Sequence, residues 1–153
     1  MDNFFFSDNA DFVPFSEQHF WVILIISILG SILISFAKKQ PQKIQIIIGN
    51  ILATSICLVI IFGTLLNFHK TNFNYQEDLP LHLCSFLGLI IPVLTYTRKY
   101  IFYEVFLFLI LAGTLQSLIT PSEYNFLNFT FFRYWFVHSG LVIIMLYATF
   151  VYK

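Results

Sequence analysis

Long, nearly uncharged apolar stretches separated by short polar segments dominate the pattern of this chain. The stretches cover residues 20–37, 44–68, 79–97, 100–120 and 131–152. Each is long enough for an α-helix to cross the roughly 30 Å hydrocarbon core of a bilayer. The pattern therefore predicts an all-α fold, a polytopic transmembrane helix bundle with five spans.

The N-terminal residues differ from the spans because they mix Phe with acidic residues and a Pro. This composition predicts an interfacial N-terminal segment, residues 1–18, ahead of a transmembrane helical domain, residues 19–153. A cleaved signal peptide would carry Lys or Arg before its apolar stretch, and none precedes Phe20. We therefore expect the first helix to be retained.

Basic residues are distributed unevenly over the two sides of the predicted bundle. One side holds Lys38, Lys39, Lys43, Arg98, Lys99 and Lys153, whereas the other holds Lys70 and Arg133. Cytoplasmic loops carry the excess of Lys and Arg in membrane proteins. The charge pattern predicts an outside N-terminus and a cytoplasmic C-terminus for a multi-pass protein of the cell membrane.

Composition excludes several classes of protein. The chain is 58% hydrophobic and 10% charged, whereas a soluble domain is about 25% charged. Its net charge is zero and its basic residues are scattered, so it lacks the basic footprint of a nucleic-acid-binding protein. We expect membrane lipid as its partner and no nucleic acid, and the oligomeric state stays open.

The third span opens on Leu79-Pro80-Leu81-His82-Leu83-Cys84, where a polar loop enters the membrane. We expect Pro80 in the first turn of that helix, where a missing N–H does no harm. Four residues of the span share one small or polar helical face that we expect to point inward, and the residues beside this face are bulky. The inward set is Cys84, Gly88, Pro92 and Thr95, and the bulky set is Leu83, Phe86, Leu87 and Leu89.

Cys84 and His138 are predicted to lie at the same depth. Cys84 is a few residues into the third span and His138 a few more into the fifth, and both spans begin on the same side. At 1.5 Å per residue, both side chains lie roughly 6–10 Å below that interface. An imidazole near a thiol withdraws its proton and yields the thiolate that attacks acyl carbonyls. The pair is therefore a candidate catalytic dyad.

His82 is a poorer base for Cys84 than His138 is. Residues two apart lie about 200° apart around a regular helix, so His82 and Cys84 do not meet easily. Gln116 leaves the fourth span on the same side and is a candidate donor to a developing oxyanion. We expect His82, Gln116 and Arg133 to contact the substrate.

Two other interpretations use the same residues. A single Cys or His in a span is ordinarily a packing residue, which predicts a non-enzymatic membrane protein that binds lipid or a protein partner. A zinc site would take His19, His82, Cys84 and His138 as ligands. These residues come singly from different helices without the spacing of a metal site, so we expect no metal and no cofactor.

Three motifs in order resemble a known family. They are LPLHLC at 79–84, GTLQSLITP at 113–121 and FFRYWFVHSGL at 131–141. They are similar to the membrane-protein family called YwaF in bacilli and transmembrane protein 164 in animals, from about residue 15 to the end. The resemblance implies a membrane acyltransferase that loads polyunsaturated acyl chains onto ether lysophospholipids, with its cysteine nucleophile and its histidine at Cys84 and His138.

A more distant similarity, to the androgen-induced membrane hydrolases of fatty-acid esters, implies the same acyl chemistry. Members of the resembling family continue through further membrane helices after the one that bears the histidine, whereas this sequence ends at Lys153. We therefore expect a fragment or a C-terminally shortened member. The leading hypothesis is a lipid acyltransferase or lipid-ester hydrolase with a Cys-His dyad at the outer side of the membrane.

Overall fold

The computed structural model describes residues 12–68, 79–80, 82–121 and 128–152. Regular structure within these ranges is entirely helical. The elements are α1 (Glu17–Lys38), α2 (Gln42–Phe68), α3 (Leu83–Thr97), α4 (Tyr100–Leu109), a π-helical segment (Ile110–Thr114), α5 (Leu115–Ile119) and α6 (Phe129–Phe150). The predicted all-α bundle is confirmed, and most of the predicted interfacial segment, residues 1–11, lies outside the described residues.

Four helical units are long and apolar enough to cross a membrane: α1, α2, the continuous unit Tyr100–Ile119, and α6. The remaining helix, α3, has 15 residues, which rise only about 22 Å at 1.5 Å each. The described residues therefore hold four full-length candidate spans and one shorter apolar helix, rather than five full-length spans. The multi-pass architecture is otherwise as predicted.

The third span is shorter because its opening residues precede the helix. Pro80 lies in a turn, and His82 is the N-cap of α3 with an extended backbone, φ −60° and ψ 141°. The prediction that Pro80 occupies the first helical turn is wrong. Apolar character continues through Leu79–Cys84 regardless of conformation, so hydropathy placed the helix start too early.

Side-chain caps fix where the first and last helices begin. Ser16 caps α1 by accepting a hydrogen bond from the backbone N–H of His19 at 3.3 Å. Asn128 caps α6 by accepting from the N–H of Phe131 at 2.7 Å. Each cap satisfies one of the backbone donors that a helix start leaves without an intrahelical partner.

The two ends of the bundle differ in the residues that lie there and take their names, the basic end and the cysteine end, from them. At the basic end, α1, α3 and α6 end while α2 and α4 begin, and Lys38, Lys39, Lys43, Arg98 and Lys99 lie there. At the cysteine end, α1, α3 and α6 begin, and Cys84 lies in the first turn of α3. The predicted orientation of these ends relative to the cell stays a prediction.

Small residues allow α2, α3 and α6 to cross closely. Gly88 of α3 lies against Ile56 and Ile60 of α2, and a Cβ at Gly140 of α6 would lie 2.9 Å from the Cδ1 of Ile56. Ile56 and Ile60 are fully buried. Close approach at small residues is the usual way for membrane helices to gain packing contacts, so this crossing forms the centre of the core.

The face of α3 predicted to point inward is largely the buried one. Gly88 and Thr95 are buried, and Cys84 and Pro92 are half-buried. Leu87, one of the bulky neighbours, is also buried because it packs in the core that contains Ile56 and Ile60. The inward face of α3 is therefore wider than the small and polar residues alone predict.

The outer surface of the bundle is strongly apolar. Large exposed side chains include Phe20 at 70%, Leu29 at 60%, Tyr100 at 71% and Phe108 at 72% of their full exposure. A water-soluble monomer rarely exposes apolar patches of this extent. These side chains fit contact with lipid, as expected of an integral membrane protein.

Candidate functional site

Cys84 lies in the first turn of α3 against the π-helical segment. Its Sγ is 3.6 Å from the Oγ1 of Thr114, the last residue of that segment. Thr114 is fully buried, whereas Cys84 is half-buried. Single π-helical turns within α-helices are frequently found at functional sites. Here the turn places the Thr114 hydroxyl beside the Cys84 thiol.

His138 is half-buried on α6 and oriented by the helix itself. Its Nδ1 is 2.8 Å from the backbone carbonyl of Tyr134. A carbonyl only accepts, so Nδ1 carries the ring proton and Nε2 holds the lone pair. The Tyr134 ring covers the imidazole with its centroid 4.1 Å away. Within the described ranges Nε2 makes no hydrogen bond, so it is the nitrogen able to accept a proton.

A hydrogen bond joins α6, which carries His138, to the helical unit that carries Thr114. The Tyr134 hydroxyl donates to the Ser117 carbonyl at 2.5 Å, which joins α6 to the antiparallel α5. His138 lies four residues, about 6 Å, farther from the cysteine end than Tyr134, and Thr114 lies three residues, about 4.5 Å, farther than Ser117. Both residues therefore lie within about 6 Å, along their own helices, of a residue that forms this bond.

The thiol and the imidazole do not hydrogen-bond to each other directly. The bond from Cys84 that the structure describes is the one to Thr114, and the bond from His138 is the one to Tyr134. Both residues belong to helices that pack against the π-helical segment. The structure thus places Cys84 and His138 on two helices that both pack against the π-helical segment, which ends in Thr114.

Thr114 is the site residue that sequence reasoning missed. It lies inside the 113–121 motif, but a threonine in an apolar span usually satisfies its hydroxyl on its own helix. The π-helical turn re-aims the side chain toward α3, and no periodicity in the sequence marks that turn. In the sequence, only the polar character of Thr114 within an apolar stretch could have indicated its place beside the thiol.

His19 has a structural role that accounts for both of its ring nitrogens. Its Nδ1 accepts from the backbone N–H of Phe15 at 2.9 Å, so Nε2 carries the proton and donates to the Leu118 carbonyl at 2.9 Å. The buried imidazole therefore ties the start of α1 to the end of α5. With no free lone pair, it does not fit the role of a zinc ligand.

The proposed zinc ligands do not form a cluster in the structure. Within the ranges that the structure describes, no three side chains of His, Cys, Asp or Glu lie close enough to hold a metal ion. His82, another candidate ligand, is exposed at the N-cap of α3 and makes no capping bond with its side chain. Because it precedes the helix, the regular-helix angle between His82 and Cys84 does not apply.

For Gln116 and Arg133, which were also predicted to contact the substrate, the structure shows contacts with residues other than Cys84. Gln116 is exposed on α5, and its Nε2 donates to the Oγ1 of Thr120 at 3.1 Å. Arg133 is half-buried on α6 and lies against Gly63 of α2, where an added Cβ would be 2.7 Å from its Nε. The structure therefore places Thr114, and not Gln116, beside Cys84.

An aromatic cluster closes the cysteine end between α1 and α6. Phe12, fully buried ahead of α1, meets the rings of His19, Phe131 and Trp135 at centroid distances of 5.2–5.9 Å. An apolar groove of about 280 Å³ runs beside it between α1, α5 and α6. The Trp135 indole N–H is buried there without a hydrogen-bond partner among the described residues.

Comparison with known proteins now gives the family. The family model described as the TMEM164 family matches residues 14–153. No curated protein and no solved structure matches the chain. Because the match covers nearly the whole sequence, the chain belongs to the TMEM164 family.

Proposed function

We propose that this TMEM164-family protein transfers or hydrolyses an ester-linked acyl chain of a membrane lipid, with Cys84 as nucleophile and His138 as base. The observation that carries the proposal is the contact of the Cys84 thiol with the Thr114 hydroxyl, on a segment that also packs against α6, the helix of His138. Ionisable groups within membrane helices are costly and mark functional sites by default. The proposed location is the cell membrane.

The chemistry proceeds in two balanced steps. Nε2 of His138 takes the thiol proton, and the Cys84 thiolate attacks the ester carbonyl of the lipid. The imidazolium returns that proton to the departing alcohol, which leaves the acyl chain as a thioester on Cys84. A lysophospholipid hydroxyl or water then attacks the thioester, with His138 again as base, and the thiol is restored.

The first turn of α3 is suited to stabilise the tetrahedral intermediate. The first backbone N–H groups of a helix lack intrahelical acceptors, and Cys84 lies among them as the second residue of α3. Donors of this kind stabilise a developing oxyanion strongly in a water-excluded site. Gln116 is not required for this role, and His82 and Arg133 remain candidates for contact with the lipid headgroup.

For the reaction to begin, the Cys84 thiol has to exchange its present hydrogen-bond partner for the His138 imidazole. Cys84 now bonds Thr114, whereas proton transfer requires the thiol and Nε2 to come within hydrogen-bond reach. Catalytic hydrogen bonds are often long in ligand-free structures and tighten in the substrate complex. The free lone pair of Nε2 is consistent with this sequence of events.

A non-enzymatic lipid-binding protein is the second candidate. The bond between Cys84 and Thr114 satisfies a packing cysteine without any chemistry. The groove of about 280 Å³ between α1, α5 and α6 offers room for part of an acyl chain. This candidate predicts lipid binding that does not depend on the thiol.

Replacing each cysteine in turn separates the two candidates. In liposomes that contain phospholipid and lysophospholipid, we expect Cys84→Ala to abolish acyl turnover measured by lipid mass spectrometry. Cys57→Ala is the matched control, because Cys57 is a half-buried free cysteine on α2, and we expect it to retain turnover. Turnover that is unchanged in Cys84→Ala contradicts the proposal.

A further inference from the structure

A polar cavity of about 960 Å³ opens at the basic end, far from Cys84. The ends of α1, α2, α3 and α6 surround it. Its polar lining consists of Lys38, Gln42, Gln45, Thr97, Arg98 and Tyr152. No acidic side chain of the described ranges lines it, so the cavity is positive.

Arg98 is held in a conformation that its side chain does not favour. It ends α3 with φ 52° and ψ 29°, the left-handed region, and its N–H bonds the Leu94 carbonyl at 2.8 Å. A residue with a Cβ is strained in that region, whereas glycine adopts it without steric conflict. Glycine would form this turn with less backbone strain. The feature that arginine has and glycine lacks is the guanidinium group.

The second cation of the cavity is positioned by an aromatic ring. The Nζ of Lys38 lies 4.8 Å from the centroid of the Phe150 ring, within the range of a cation–π interaction. Neither Lys38 nor Arg98 forms an ion pair within the described part of the chain. Both charges are therefore available to an anion.

Tyr152 adds a neutral donor to the same wall. Its hydroxyl lies against Gly49 of α2 and is buried without a hydrogen-bond partner among the described residues. Burial raises the pKa of Tyr152 to about 12, although the nearby Arg98 acts in the opposite direction. The hydroxyl therefore keeps its proton at neutral pH and can donate it to an acceptor.

We propose that this cavity binds a phosphate group through Lys38 and Arg98, with the Tyr152 hydroxyl as a third donor. The planar guanidinium forms paired hydrogen bonds with phosphate oxygens, and the ammonium adds a point charge. Basic pockets between membrane helices bind anionic lipid headgroups in this manner. The phosphate comes from a phospholipid headgroup or from a free phosphate, and the site does not depend on the chemistry proposed at Cys84.

Retention of phosphatidic acid by the purified protein, measured by native mass spectrometry, tests the site. Arg98→Gly removes the guanidinium and relaxes the left-handed turn, so we expect retention to fall at least about tenfold with an unchanged or higher melting temperature. Lys38→Gln is expected to reduce retention in the same direction. Lys39→Gln and Lys43→Gln are the matched controls, because these residues carry the same charge at the same end and do not line the cavity.

Competition with inorganic phosphate identifies the source of the group. Displacement of phosphatidic acid by inorganic phosphate indicates a soluble phosphate ligand, and retention despite it indicates a lipid headgroup. Equal retention of zwitterionic phosphatidylcholine, or equal losses in the Lys39 and Lys43 variants, overturns the proposal. If Arg98→Gly melts at a markedly lower temperature, Lys38→Gln decides, and its full retention of phosphatidic acid overturns the proposal.

Discussion

The polar groups of the two candidate sites differ in whether the protein itself supplies their partners. At the cysteine end, His19 bonds Phe15 and Leu118, the Tyr134 hydroxyl bonds Ser117, and Cys84 bonds Thr114. At the basic end, the cations that line the cavity have no acidic partner among the described residues, and the buried Tyr152 hydroxyl lacks a hydrogen-bond partner there.

The difference shows what each end is suited to do. Hydrogen bonds between spans hold side chains at fixed depth in an apolar bundle, which is what a reaction between two protein groups requires. Unpaired cations around an open cavity do not position one another, but they attract an anion. The cysteine end therefore fits chemistry, and the basic end fits recognition of charge.

The largest effect in this comparison is the loss of acyl turnover that we expect when the His138 imidazole is removed. His138→Ala should reduce acyl turnover about 10²–10⁴-fold, the usual contribution of a general base. Lys39→Gln, which changes an exposed charge at the basic end, should leave turnover unchanged. The measurement is product formation from phospholipid in liposomes. Equal losses in the two variants would break the functional contrast between the ends.

A smaller effect on stability is expected at His19. Replacing His19 with Ala leaves the Phe15 N–H and the Leu118 carbonyl without their partner, which should lower the free energy of unfolding by about 2 kcal/mol. Lys43→Gln at the basic end should change it by less than about 0.5 kcal/mol. Unfolding in mixed micelles of dodecyl maltoside and SDS measures both. An unchanged stability of His19→Ala would show that this bond does not hold α1 to α5.

The smallest effect is expected for a pair of tyrosine hydroxyls. Tyr134→Phe removes the donor to a backbone carbonyl of α5 and should cost about 1 kcal/mol. Tyr103→Phe removes a 2.9 Å bond to Thr149 at an exposed position of the basic end and should cost less. The same unfolding assay compares the losses of unfolding free energy in the two variants. A larger loss in Tyr103→Phe than in Tyr134→Phe would contradict the view that the cysteine end is held more firmly.

Most of the fold could be predicted because the membrane imposes simple rules. The predicted stretches 20–37 and 44–68 correspond to Glu17–Lys38 and Gln42–Phe68, since a spanning helix must be long and uncharged. The third stretch began too early because Leu79 and Pro80 continue its apolar run but precede α3 in non-helical backbone. Hydropathy reports where lipid is favoured, and it does not distinguish helix from the segment that leads into it.

The candidate site could be predicted only in part. Residue counts assign Cys84 and His138 to similar depths, and both this shared depth and their joint role stay predictions. The neighbour of the thiol could not be predicted, because the π-helical turn that aims Thr114 leaves no periodic signal. The exposure of Gln116 likewise depends on how its helix is rotated after that turn.

The most direct test of the account is a search for the acyl thioester. The protein is incubated with a phospholipid that carries a polyunsaturated acyl chain, quenched in acid, digested and examined by mass spectrometry. We predict a hydroxylamine-labile acyl group on the peptide that contains Cys84, none on the peptide that contains Cys57, and loss of the adduct in His138→Ala. The absence of an adduct on Cys84, or equal acylation of both cysteines, would contradict the account.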